Sequence, residues 1–168
     1  RFCLVLAGDG PESEVLRERL GDAVVHRGWL DGDELATAYA DADAFLFTSQ
    51  TDTYGQVVVE AQASGVPVVA VAAGGPADLI EHGRSGLLAE PDPRELAAKL
   101  VRLAENRPLR DRLAGGGLAA ARRRTWNRSL GQLADGYGLA RTGAADEIDS
   151  LLSGSGSAAP PRPPALYS

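Results

Sequence analysis

Asp52 and Glu60 are the two residues whose types and spacing best suit chemistry, with seven residues between them in a stretch that is otherwise polar and then apolar. If a helix begins near Gly55, Glu60 lies about one and a half turns into it, on the scale of ~5.4 Å per turn. Both carboxylates then border one pocket. Between them the first helical amides, those of Gly55, Gln56 and Val57, have no intrahelical acceptor, and the helix dipole favours an anion there. Such a pocket suits a phosphate flanked by hydroxyl-bearing sugars. Carboxylates accept from vicinal hydroxyls, and hydrogen bonds to charged groups contribute roughly 1.5–3 kcal/mol each. The residues alone leave a second reading open, in which Glu60 is a structural acid paired with an arginine and Asp52 merely shapes a turn.

The elements that must position these acids follow from the hydrophobic pattern. Apolar runs over residues 44–47 and 66–71 flank the stretch and read as parallel strands, apolar throughout as strands covered on both faces should be. The intervening segment 55–64 reads as a largely buried helix, although its three consecutive valines, Val57, Val58 and Val59, leave a strand open. A lone glutamate in a buried helix is costly unless it is paired or faces a cavity. Upstream, 2–7 and 23–26 read as strands, with a helix over 12–20 and another capped by Asp31 or Asp33, the second with Leu35, Ala38 and Tyr39 on its buried face. Downstream come a helix around 77–82, a brief strand at Leu87 and Leu88, and an amphipathic helix opened by Pro91-Asp92-Pro93 with Leu96, Leu100, Val101 and Leu103 at helical spacing. Helices over 108–124 (weakened by Gly115, Gly116 and Gly117) and 126–141 follow.

Alternating strands and helices with short connections predict an α/β fold, a Rossmann-like doubly wound parallel sheet. Right-handed crossovers place the loops 8–11, 28–31, 49–55 and 72–76 on one carboxyl edge, where ligands bind in such sheets. Gly8 and Gly10 let backbone approach a ligand in the first of these loops.

Composition narrows the classes further. A chain of 168 residues with 44% hydrophobic and 24% charged residues is ordinary for a globular domain. Its net charge of −6 argues against non-specific nucleic-acid binding. One cysteine, Cys3, excludes an internal disulfide framework, and its place in an apolar run predicts a buried, inert thiol. Two histidines, His26 and His82, are too few for a metal site and are expected to be structural. Gly8-x-Gly10 lacks the third glycine of a dinucleotide fingerprint. No apolar run reaches the ~20 residues of a membrane span. Residues 1–142 are expected to form one domain and the Ser/Gly/Ala/Pro-rich residues 143–168 a disordered tail. The absence of methionine and the opening on Arg1-Phe2 predict a piece of a longer protein.

Taken together, Thr51-Asp-Thr-Tyr-Gly-Gln-Val-Val-Val-Glu-Ala-Gln-Ala-Ser-Gly65, followed by Gly74-Gly75 and Gly83-Arg-Ser-Gly-Leu-Leu88, resembles the C-terminal donor-binding domain of family 4 glycosyltransferases, retaining enzymes of the GT-B fold. Gly8-Asp-Gly-Pro11, His26-Arg-Gly-Trp-Leu30 and Ala40-Asp-Ala-Asp43 fit the same pattern, and Trp126 resembles an aromatic near the start of a late helix. The resemblance spans about residues 2–141. Asp52 stands where the family has the first glutamate of a pair and Glu60 stands at the second. It implies that Glu60 holds ribose hydroxyls of a nucleotide diphosphate-sugar and Asp52 hydroxyls of the transferred hexose. The amides of Tyr54, Gly55, Gln56 and Val57 then lie near the sugar and distal phosphate, and Trp29 and Leu30 flank the base. It further implies no metal and no other cofactor, an acceptor-binding domain and a diphosphate-binding Arg/Lys pair outside this sequence, an isolated piece that is inactive, and a cytoplasmic location, either free or peripheral at the membrane face. Two other readings accompany it: a non-catalytic nucleotide-sugar-binding module, and a GT-B-fold sugar-nucleotide epimerase, for which no acid–base residues are identifiable.

Overall fold

A computed structural model describes residues 2–124, 130–131 and 135–137. The chain divides into two units, Arg1–Arg123 and Arg124–Ser168, and the sheet fold belongs to the first. Trp126, most of the helix expected over 126–141 and the 143–168 tail lie outside the described residues.

The first unit is α/β with parallel strands, as the alternation predicts. Strands β1 (Leu4–Ala7), β2 (Val24–Gly28), β3 (Phe45–Phe47), β4 (Val68–Val71) and β5 (Leu87–Ala89) alternate with helices α1 (Ser13–Leu20), α2 (Gly32–Ala40), α3 (Gln56–Ala63) and α4 (Gly74–Leu79). Helices α5 (Pro93–Glu105) and α6 (Arg107–Arg122) follow. The strands form two parallel sheets, β1-β2 and β3-β4-β5, where the pattern predicted one.

Strand β4 is central and buried along its whole length. Its alternating side chains feed two cores, because successive Cβ atoms point to opposite faces. Val68 and Ala70 pack with Tyr39 of α2, Val58 and Ala61 of α3, and Leu79 of α4. Val69 and Val71 pack with Leu96 and Leu103 of α5 and Leu109 and Leu113 of α6. Helices therefore cover both faces of the three-stranded sheet. Helix α5 starts as its sequence requires, with Pro93 in the first turn and Asp92 accepting from the Arg94 amide at 3.0 Å.

Four expectations need correction. Cys3 is exposed, because the β1-β2 sheet leaves Leu4 and Val5 exposed and gives the neighbouring thiol no apolar cover. Helix α4 spans Gly74–Leu79 and not 77–82, so Pro76 falls at its third position, still within the first turn. Two of the three glycines of α6, Gly116 and Gly117, are a docking surface, whereas a Cβ on Gly115 would meet nothing within 4 Å. A Cβ on Gly116 would sit 1.9 Å from the Arg84 carbonyl oxygen, and one on Gly117 would sit 3.2 Å from Gln62 Cγ. Finally, α3 is less buried than its composition suggests: Val57, Val59 and Glu60 are half-buried and Ala63 is exposed.

Candidate functional site

The site is built from the two loops that leave β3 and β4. After Phe47 the chain turns through Asp52 and enters α3 at Gly55, which adopts φ +77°. Only glycine takes that conformation without strain, and a Cβ there would also meet Leu79 Cδ1 and Pro76 Cγ at 3.2 Å. Val57, Val58 and Val59 are helical, which resolves the helix-or-strand ambiguity. The loop after β4 presses its backbone onto the first loop. The Gly75 amide donates to the Asp52 carbonyl at 3.0 Å. A Cβ on Gly74 would lie 2.4 Å from that same oxygen, and one on Gly75 would lie 2.6 Å from Tyr54 Cα. These two glycines are needed for close approach, and that approach sets where α3 begins.

Asp52 is half-buried, and its Oδ1 accepts from the Tyr54 amide at 2.9 Å and from the Gly55 amide. This corrects the expectation that the Gly55 amide is free. A carboxylate two and three residues ahead of those donors closes on its own backbone, as Asp does in turns. The signal was present in the sequence. The amides of Gln56 and Val57, the first two of α3, have no acceptor among the described residues.

Glu60 lies in the second turn of α3. The Tyr39 hydroxyl from α2 contacts its Oε2 at 3.2 Å and the Val57 carbonyl at 3.4 Å. No arginine pairs with Glu60 among the described residues, so the structural ion-pair reading has no partner here. Burial, with the Glu60 charge and hydrogen bond behind it, pushes the Tyr39 phenol up to about 12. Gln62, fully buried two residues further on, donates Nε2 to the Ser85 carbonyl at 3.2 Å. Sequence reasoning passed over Gln62, because its alternating neighbours carry no mark of the turn it meets.

The remaining expected contacts form a second group. The Gly8 amide donates to the Gly28 carbonyl at 2.6 Å, which brings together the loops after β1 and β2. Gly10 is exposed, Trp29 is 77% exposed, Leu30 is half-buried, and Tyr54 is 54% exposed. No hydrogen bond or ion pair joins Gly8, Gly10, Trp29 or Leu30 to the Asp52–Glu60 group among the described residues. His82 Nδ1 accepts from the Leu88 amide at 3.0 Å, a structural role as expected. His26 Nε2 is buried without a partner. Among the described residues no cluster of His, Cys, Asp and Glu could hold a metal ion, and no helix is long and apolar enough to cross a membrane.

Residues 1–106 match the family model described as glycosyl transferases group 1. The GDP-mannose-dependent alpha-mannosyltransferase of Corynebacterium glutamicum is 51% identical over 85 residues, which are 51% of this chain and 20% of that protein. The D-inositol 3-phosphate glycosyltransferase of a Nocardioides species is 44% identical over 110 residues, 65% of this chain and 24% of that protein. The chain thus spans about a fifth to a quarter of the length of these curated relatives. Among solved structures, Anabaena HepE in complex with UDP and glucose superposes with a TM-score of 0.67 at 28% identity, over 80% of this chain and 39% of that one. The C-terminal domain of a glycosyl transferase group 1 family protein from Francisella tularensis does so with 0.57 at 27% identity, over 67% and 59%.

Proposed function

The chain belongs to the group 1 glycosyl transferases, and we propose that it forms the donor-binding domain of a retaining enzyme that transfers a hexose from a nucleotide diphosphate-sugar to an acceptor alcohol. The observation that carries this reading is the start of α3. Two amides without an acceptor, those of Gln56 and Val57, stand ahead of a carboxylate, Glu60, that no cation neutralises among the described residues. The first feature suits a phosphate and the second suits hydroxyls.

In this reading the Gln56 and Val57 amides donate to the distal phosphate as negative charge grows on it, with the dipole of α3 adding to the stabilisation. Glu60 accepts from ribose hydroxyls. Asp52 serves the transferred hexose from a fixed loop: its Oδ1 accepts from backbone amides and its Oδ2 is left for a sugar hydroxyl. The leaving phosphate assists attack by the acceptor on its own face, so configuration is kept without a protein nucleophile or a metal. Trp29 and Leu30 border the base. The acceptor site and the groups that neutralise the diphosphate come from outside this sequence, and this piece alone does not turn over. Relatives named for GDP-mannose and a neighbour solved with UDP and glucose support a nucleotide-sugar donor.

Isothermal titration of the full-length protein with UDP-, GDP- and ADP-sugars tests the reading. One of them binds, and Glu60→Gln weakens that binding roughly ten- to a hundredfold, the equivalent of one hydrogen bond to a charged group. Unaltered binding and turnover in Glu60→Gln would remove Glu60 from the site.

A further inference from the structure

We propose that Tyr39 is a positioning residue for Glu60, holding one carboxylate oxygen from behind so that the other faces the donor. The inference rests on the reading of Glu60 as a donor ligand and adds a residue from a different helix to that site.

Tyr39 lies in α2, twenty-one residues before Glu60, and is 9% exposed. Its ring is packed against Phe45 of β3, with centroids 5.6 Å apart and planes at 60°, and Phe45 is in turn stacked on Phe47. The ring is therefore fixed by the core that α2, α3 and β4 share. The hydroxyl can give its single proton to only one acceptor at a time. Of the two within reach, the Val57 carbonyl is 3.4 Å away and lies where the helical ladder already supplies a donor from four residues on. The Glu60 oxygen is nearer, at 3.2 Å, and charged, so it forms the stronger bond. With its phenol pushed up to about 12, Tyr39 keeps that proton throughout the neutral range.

Glutamate has a long, flexible side chain, and an unheld carboxylate must be ordered each time ligand binds. Fixing it beforehand on a ring that cannot move reduces that cost, which is the effect of preorganisation. Oε2 is bonded to Tyr39, and Oε1, which has no partner among the described residues, is left as the acceptor for a hydroxyl. The arrangement also explains how a carboxylate is carried on a half-buried helix face without a cation beside it.

The test compares four forms of the full-length protein, wild type, Tyr39→Phe, Glu60→Gln and the double variant, titrated with UDP-glucose and GDP-mannose and melted in parallel. Tyr39→Phe keeps the ring and its packing, so the fold stands. The expected result is about tenfold weaker binding in Tyr39→Phe, with KM raised and kcat nearly unchanged, and a double variant no weaker than Glu60→Gln alone. Glu60→Asp, which withdraws the carboxylate by one methylene, should abolish the effect of Tyr39→Phe in the same way. If Glu60→Gln weakens binding while Tyr39→Phe does not, or if the two effects simply add, Tyr39 is a core residue and the positioning role is wrong although Glu60 remains a ligand. If Glu60→Gln leaves binding of both donors unchanged, the underlying reading of Glu60 fails and the positioning role falls with it.

Discussion

Gly75→Ala probes the contact on which the site depends. The added Cβ would meet Tyr54 Cα and C at 2.6 Å and the Thr53 carbonyl oxygen at 2.7 Å, all of them backbone atoms that cannot rotate away. Carbon atoms rest at about 3.5–4.0 Å, so the two loops must part by roughly 1 Å. Parting stretches the bond from the Gly75 amide to the Asp52 carbonyl, now 3.0 Å, and moves the 52–55 turn that starts α3. Overpacking of this kind costs about 1–3 kcal/mol of stability. The effect on the site should be larger, since a misplacement of about 1 Å can lower a rate on the order of a hundredfold. Thermal melting together with donor titration and kcat/KM of the full-length protein separates the two effects. A melting temperature lowered by a few degrees beside a loss of one to two orders of magnitude in kcat/KM is expected, roughly. Wild-type donor affinity and turnover in a folded Gly75→Ala protein would refute the claim that the contact between these loops sets the α3 amides in place.

In α6, Gly115→Ala meets nothing within 4 Å and should stabilise by about 0.5–1 kcal/mol as a helix-interior change, whereas Gly116→Ala, aimed at the Arg84 carbonyl, should destabilise by about 1–3 kcal/mol. Equal melting temperatures for the two variants would contradict the docking role. Asp52→Ala, which strips the acceptor from the Tyr54 and Gly55 amides, should cost about 0.5–2 kcal/mol in denaturant unfolding, while Asp52→Asn keeps an acceptor oxygen and should cost less. For Tyr39, a phenol raised in the fold contributes stability that is complete below the unfolded value of about 10 and is lost as pH rises through about 12. Phenolate absorbance should show Glu60→Gln lowering the last tyrosine transition, because it removes the charge that opposes ionisation; an unchanged titration would break the proposed coupling.

Much of the fold could be read from local pattern. The apolar runs at 44–47 and 66–71 gave β3 and β4, and the polar turn between the runs gave the loop that carries Asp52. The Asp52 turn was itself legible, since its donors lie only two and three residues away. Elsewhere local pattern misled. Two glycines that lower helix propensity in isolation, Gly116 and Gly117, sit where α6 meets the Arg84–Ser85 turn, and the apolar run around Cys3 is exposed. In both cases the deciding atoms lie far away in sequence.

By itself, then, the sequence determined the alternation of elements, the βαβ unit around Asp52 and Glu60, and the family pattern, because periodicity, turn chemistry and helix starts depend on neighbours a few residues apart. Only the tertiary structure decided which groups those acids meet. Asp52 closes on its own loop and Glu60 meets Tyr39 from another helix, while the backbone of Gly74 and Gly75 backs the turn. Hydrogen-bond partners are chosen by distance in space, and a separation of twenty-one residues along the chain carries no trace of a 3.2 Å contact across two helices.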